Sequence, residues 1–464
     1  MLASFLFFLS CFVFIGLASL WRSRATKQDY YLASGTVAPW LVGLSAVATN
    51  NSGYMFIGVI GYTYTTGLAA AWVMVAWILG DFLASLFVHR RLRAAAERSQ
   101  ALSYAGVLAN WHGEQRWVRR SIALISLIFL TAYASAQLVA GSKALHVLLD
   151  WPQWAGAAVG ATMVALYCCA GGIRASIWTD AAQSVVMMGA MALLVWVSVS
   201  ALGGLNFAFT RLQSVPEFMN WIPSGMVVPG VGGLLLFALG WVVAGFSVIG
   251  QPHIMVRFMT LTNAALMRRA RVWYYGWFIV FYVMATVVGL LARVLLPDVG
   301  NFDAELALPT MAVELLPPFL VGLVLAGIFA ATMSTADSLV LSCSSALSQD
   351  MFVFSSDSAF WLKLTTITVT FLALLLALSE NQSVFEIVIL SWSGLAAAFA
   401  PLLLMRSVGF RSSERVATTA ILAGFTATLS WHYANLSAFI YEGVPGVLVG
   451  LLILLLFRRR GEAL

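Results

Sequence analysis

A stripe of hydroxyls on an apolar stretch is where chemistry first shows in this chain. From Val321 to Asp350 the sequence reads VGLVLAGIFAATMSTADSLVLSCSSALSQD, with Ser334, Thr335, Ser338, Ser342 and Ser345 recurring at steps of three and four. On a helix these hydroxyls share one face, with Ala331 one turn earlier and Asp337 at the border. A carboxylate inside an apolar helix is costly enough to be read first as functional. On their own these residues allow a proton path, a packing seam or a metal site, and hydroxyls at this spacing also bond back to carbonyls one turn earlier.

A second polar cluster lies far away in sequence. WLVGLSAVATNNSGYMFIGVIGYTY carries Thr49, Asn50, Asn51, Ser52 and Gly53 at its middle, more polar groups than a regular lipid-facing helix can satisfy. Irregular backbone is tolerated at such depth where it lines a cavity or is buried in protein, so the helix is expected to break there. Side chains of this kind also serve as interhelical glue. FALGWVVAGFSVIGQPHIMVRFM is interrupted too, by Gly245, Gly250 and Pro252. Proline removes a donor and disfavours helix at the residue before it. Tyr133, Ser135 and Gln137 stand in otherwise apolar surroundings, and Asp180 in IWTDAAQ reads equally as a helix cap or an ion relay. Glu386 reads as a boundary residue and His253 as packing.

The elements that must position these residues follow from composition. With 61% hydrophobic and 9% charged residues in 464, the chain is an integral membrane protein. Thirteen apolar runs are long enough to cross a bilayer. They fall near 2–20, 41–62, 67–90, 120–148, 153–172, 178–200, 231–257, 271–296, 316–349, 359–378, 383–405, 415–432 and 439–457, and are called the first to thirteenth spans below. Their period is helical, which gives an all-α bundle in a single transmembrane domain. The first span is read as a retained helix, being too long for a signal peptide and followed by Arg22 and Arg24. The 32 residues from His89 to Arg120 form the longest basic loop, expected to hold a short surface helix.

The formal charge of +6 is topological. If the amino terminus is outside, the 25 Lys and Arg residues, Arg257 included, fall on the inner side except Lys143, Arg211 and Arg293. The carboxyl terminus is then cytoplasmic, the RRRGEAL tail its stop, in the inner (cell) membrane, and no nucleic-acid partner is implied. The outer loop from Pro297 carries Asp298, Asp303, Glu305 and Glu314, and the twelfth and thirteenth spans are expected to be peripheral without buried charge. Cys11, Cys168, Cys169 and Cys343 lie inside spans without metal-ligand spacing and read as small buried residues. No nucleophile, phosphate-cradling or metal constellation is visible, so an enzyme, an ATP-driven pump and a bound cofactor are not expected.

Interrupted spans at the second and seventh positions, five helices apart and entering from opposite sides, point to an inverted-repeat transporter. Residues 41–200 would be one repeat and 231–405 the other, with the first span and 415–457 peripheral.

The stretches ATNNSGYMFIG, GQPHIMVRFM, AATMSTADSLVLSCSSALSQD and SWSGLAAAFAPLLL resemble the sodium/solute symporter family, most of all its sodium/proline branch, over Asp29 to about Arg411. The resemblance implies a leucine-transporter-like five-plus-five fold and uptake of a small solute, an amino acid such as proline or a related zwitterion or carboxylate, coupled to Na+. It implies sodium ligands at Ala48, Asn51, Ala331, Ser334 and Thr335, and a second ion site or relay at Asp180, Asp337 and Ser338. The solute would meet Asn50, Ser52, Gly53, Tyr133, Gln137, Ala244, Phe246, Ser247, Val248, Gln251 and Pro252. Two departures stand out: the proline branch has an aspartate where this chain has Asn50, and aromatic residues where it has Ala244 and Val248. A sugar, vitamin or monocarboxylate is the alternative solute. Some members resemble sensor modules of signalling kinases, but this chain ends soon after its last arginines, so no output domain is expected. No obligate protein partner is expected either.

Overall fold

The structure is a computed structural model that describes residues 1–460 apart from 25, 224–225, 297–301, 353–358 and 380–382. Asp298 and the tail residues 461–464 lie outside the described residues.

In hydrocarbon every backbone N–H and C=O has to find its partner within the protein, so a chain this apolar goes helical. Among the described residues, nine helical stretches are long and apolar enough to cross a membrane. Two of them hold more than one expected span. Tyr54–Ser99 joins the second half of the second span to the third, and Gln153–Ala201 carries the fifth and sixth on either side of Gly172. Gly172 has φ +56, and an added Cβ would stand 2.3 Å from the Tyr30 carbonyl oxygen, so the turn requires glycine. The twelfth and thirteenth spans, Glu414–Tyr433 and Gly443–Leu456, pack on the eleventh, Val384–Ser407. Phe410–Arg411 pairs antiparallel with Arg459–Arg460 in a two-residue ladder.

Both expected interruptions are present. The second span is helical over Pro39–Asn50, leaves helical backbone at Asn51 (φ −91, ψ 65), and resumes as a wide turn at Tyr54–Val59 and α-helix at Ile60–Thr66. The seventh runs Gly230–Phe246, tightens over Ser247–Gly250, and restarts as Pro252–Met259. Pro252 opens that second half at its first position, where a missing N–H costs nothing. Gly245 is inside the first half rather than at the break. A Cβ there would meet the Trp77 carbonyl oxygen at 1.9 Å, so it allows backbone contact between the third and seventh spans.

The ninth span, Pro318–Ser345, is buried along almost its whole length. It packs on the fourth (Arg116–Leu149), on the Gln153–Ala201 helix and on the first half of the second span. The eighth span, Met267–Leu295, flanks that same half on its other side.

Three expectations are corrected. The short helix after the third span, Tyr104–Ala109, is buried rather than on the surface, and Tyr104 Oη donates to the Ile249 carbonyl at 2.7 Å. Asp180 caps nothing, because helix is continuous from Ile173 through it to Ala201. The outer spans do hold a buried charge: Glu442 is 3% exposed, 2.6 Å from His432 Nδ1, and accepts from Ser393 Oγ at 2.7 Å.

Candidate cation and solute site

The last carbonyls of a helix have no partner within it. The first half of the second span ends at Asn50, and the Asn51 N–H returns to the Val47 carbonyl at 2.8 Å, so those of Ala48 and Thr49 are the next left over. Both face the ninth span. Ser334 Oγ stands 3.1 Å from the Ala48 oxygen and 3.1 Å from that of Ala331. Thr335 Oγ1 stands 2.9 Å from the Thr49 oxygen and 3.2 Å from that of Ala331. Back-bonding to Ala331 is therefore available beside the contact with the broken helix. Each hydroxyl has one hydrogen to give and faces two carbonyls. The group is thus rich in lone pairs and poor in protons, and carbonyl and hydroxyl oxygens of this kind can replace the hydration shell of a monovalent cation.

Of the expected ligands, Ala48, Ala331, Ser334 and Thr335 come together. The Asn51 ligand expected is its backbone carbonyl, at the point where the chain leaves the helix; its side chain is turned away, with Nδ2 donating to the Val47 carbonyl at 2.9 Å and Oδ1 buried without a partner. Thr49, not among the expected ligands, contributes its carbonyl.

Asp180, Asp337 and Ser338 are also gathered, around a cation supplied by the chain itself. Arg257 Nη2, from the second half of the seventh span, lies 3.3 Å from Asp180 Oδ2 and 3.6 Å from Asp337 Oδ1. It donates to Ser176 Oγ at 2.5 Å and to Ser338 Oγ. Ser45 Oγ donates to Asp180 at 2.6 Å, and Ser176 Oγ to Asp337 at 2.8 Å. This network meets the oxygen group directly, since Ser338 Oγ bonds the Ser334 carbonyl at 2.6 Å and lies 3.1 Å from Thr49 Oγ1. Arg257 is fully buried, which corrects its placement among the boundary cations. The signal was available: an arginine inside the apolar run HIMVRFM, just past a break, is as costly as a buried aspartate.

On the solute side, Ser52 Oγ lies 3.2 Å from Tyr133 Oη, and the Gly53 N–H donates to Gln137 Oε1 at 2.9 Å. A Cβ on Gly53 would stand 2.6 Å from Thr332 Cγ2, so glycine is what lets the break lie against the ninth span. From the seventh span, Gln251 Nε2 donates to the Trp392 carbonyl at 3.0 Å, and Trp392 Nε1 to that of Ala244 at 2.8 Å. Ser247 Oγ bonds back to the Val243 carbonyl at 2.6 Å; Val248 and Pro252 are buried. Phe246 is half-buried, its backbone against Gly80 of the third span. Asn50 is drawn to the third and eighth spans, its Nδ2 2.6 Å from Tyr274 Oη and 3.3 Å from Asp81 Oδ2.

Ala244 and Val248 do not leave the region without aromatics. Trp77 packs 5.0 Å from Trp392 and 5.9 Å from Trp241, with Tyr54 at 6.1 Å, so the rings arrive from the second, third and eleventh spans as well. Buried polar atoms without a partner gather on these residues: Tyr54 Oη, Trp77 Nε1, Gln137 Nε2 and Gln251 Oε1. Both ring nitrogens of His253, which meets Tyr133 edge-on at 5.5 Å, are in the same condition. Unsatisfied buried groups are rare enough to need a reason, and a polar solute is one.

The family model described as the sodium:solute symporter family matches residues 30–424. The chain belongs to that family. A high-affinity proline transporter of Bacillus subtilis is 30% identical over 93% of this chain and 92% of its own. A sodium/proline symporter of Escherichia coli is 27% identical over 100% of this chain and 93% of its own. Among solved structures, a Na+-coupled sialic acid symporter in a substrate-bound, outward-open state superposes with a TM-score of 0.80 at 20% identity, covering 100% of this chain and 98% of that one. The fold is accordingly the leucine-transporter-like inverted repeat of this symporter family, in a multi-pass membrane protein.

Proposed function

We propose that this chain is a sodium-coupled symporter that imports a small organic solute, an amino acid such as proline or a related zwitterion or carboxylate. The observation that carries the reading is the proton-poor group of oxygens where the frayed end of the second span meets Ser334 and Thr335. Sodium bound there ties the second span to the ninth. That bond holds the break at 51–53 in one geometry, and the solute then binds beside it. The break in the seventh span at 247–251 forms the opposite wall. A carboxylate suits the amino-terminal ends of the half-helices that restart at Tyr54 and Pro252. The unpartnered Tyr54, Trp77 and Gln137 donors supply hydrogen bonds. Rocking of one bundle of helices against the other releases both cargoes on the other side, in an inner membrane with the amino terminus outside.

The relatives named for proline make it the first solute to try. Labelled proline is offered to proteoliposomes holding the purified protein, under an inward sodium gradient and under choline. Accumulation with sodium alone is expected. Equal uptake under choline rules out the coupling, whereas no uptake of proline but sodium-dependent thermal stabilisation by another solute rules out proline only.

A further inference from the structure

One buried carboxylate takes no part in the mechanism above. Asp81 lies mid-way along the third span, Ala71–Ser99, and is 0% exposed. Gly80 beside it touches the seventh span so closely that a Cβ would stand 1.9 Å from the Val242 carbonyl oxygen. The carboxylate reaches the second and eighth spans. Tyr275 Oη donates to Oδ1 and Tyr274 Oη to Oδ2, each at 2.7 Å. Asn50 Nδ2 reaches both Tyr274 Oη, at 2.6 Å, and Asp81 Oδ2, at 3.3 Å. Among the described residues no ion pair joins Asp81, and Arg257 is committed to Asp180 and Asp337. The acid is therefore held by neutral donors alone, and the donor it draws from the second span is the last residue of the frayed helix. The two residues before Asn50 are Thr49 and Ala48, whose carbonyls face Thr335 and Ser334.

We propose that Asp81 is a positioning residue for the cation site, its carboxyl group anchoring Asn50 from the third span and, through it, the carbonyl end of the second span. The proposal rests on the sodium-symport reading. Because the Asn50 amide and the Asp81 carboxyl share Tyr274 as a common neighbour, the acid belongs to the junction rather than to one helix. Either position can carry it.

The test is sodium dependence of solute uptake in proteoliposomes for Asp81→Asn, for the exchange Asn50→Asp with Asp81→Asn, and for Tyr274→Phe and Tyr275→Phe. Asp81→Asn is expected to raise the sodium concentration for half-maximal uptake about tenfold, the scale of losing one well-made hydrogen bond. The solute KM at saturating sodium is expected to move much less. The exchange variant is expected to recover most of the sodium affinity. Tyr274→Phe is expected to weaken sodium more than Tyr275→Phe, because Tyr274 alone touches both partners. If Asp81→Asn does not insert as folded protein, the two tyrosine variants decide. Unchanged sodium dependence in Asp81→Asn, equal effects in the two tyrosine variants, or an exchange variant no better than Asp81→Asn overturns the proposal and leaves symport standing. Wild-type uptake indifferent to sodium overturns both.

Discussion

Replacing Ser334 by alanine removes one oxygen from the group at the end of the second span and leaves the helices that carry it intact. With sodium bound, that oxygen acts toward a full charge, an interaction of the kind worth about 1.5–3 kcal/mol. Without sodium, the same hydroxyl shares one proton between the carbonyls of Ala48 and Ala331, both at 3.1 Å, a neutral bond worth about 1 kcal/mol. The difference, about 0.5–2 kcal/mol, is what the variant loses in sodium binding, or about two- to thirtyfold in affinity. Thr335→Ala is expected to fall in the same range, since its hydroxyl likewise faces two carbonyls, while Thr335→Ser keeps the oxygen and stays near wild type. The assay is initial uptake rate against sodium concentration in proteoliposomes at fixed solute. Half-saturating sodium within twofold of wild type in both alanine variants would refute the ligand assignment.

Other consequences follow from the same geometry. Gly53→Ala places a methyl 2.6 Å from Thr332 Cγ2 and should cost about 1–3 kcal/mol of overpacking, abolishing transport. Adding Thr332→Ser removes that carbon and should restore part of the uptake. Arg257→Gln leaves Asp180 and Asp337 facing each other without their cation, which should lower stability by about 3–5 kcal/mol, read as thermal unfolding in detergent, with partial recovery on adding Asp180→Asn. Asp29 lies outside the spans: burial raises its pKa, but Arg174 at 2.5 Å, the Arg24 N–H and Ser34 outweigh that and bring it below the ordinary 3.8. Its contribution is therefore complete above 3.8 and lost as the pH falls through the lower folded value. Asp29→Asn should lower thermal stability by about 2 kcal/mol at neutral pH and remove that acid-sensitive step.

The helical bundle, the two breaks and the hydroxyl stripe were legible because each is written in local pattern: apolar run length, proline and glycine at mid-depth, and a three-and-four spacing of hydroxyls. The oxygen from Thr49 was not, because a backbone carbonyl has no side-chain signature and which one is freed depends on the residue at which the helix ends. Arg257 was misplaced by counting arginines toward the nearest boundary, although its immediate neighbours are apolar. Asp81 carries the same signal as Asp337, a carboxylate in an apolar run, but no hydroxyl stripe flanks it, and its partners Tyr274 and Tyr275 lie five spans later in the chain. Ala244 and Val248 suggested a wall poor in aromatics, whereas Trp77 and Trp392 reach the same region from other helices, which only the packing reveals.

The most direct test of sodium acting through the second and ninth spans is solute binding at equilibrium, with labelled proline and purified protein in saturating sodium and in equal choline. A coupling of about 1.4 kcal/mol or more corresponds to at least tenfold tighter binding in sodium, and the Ser334→Ala, Thr335→Ala double variant should bind alike in both. Wild-type protein that binds proline with the same Kd in sodium and in choline would contradict the account.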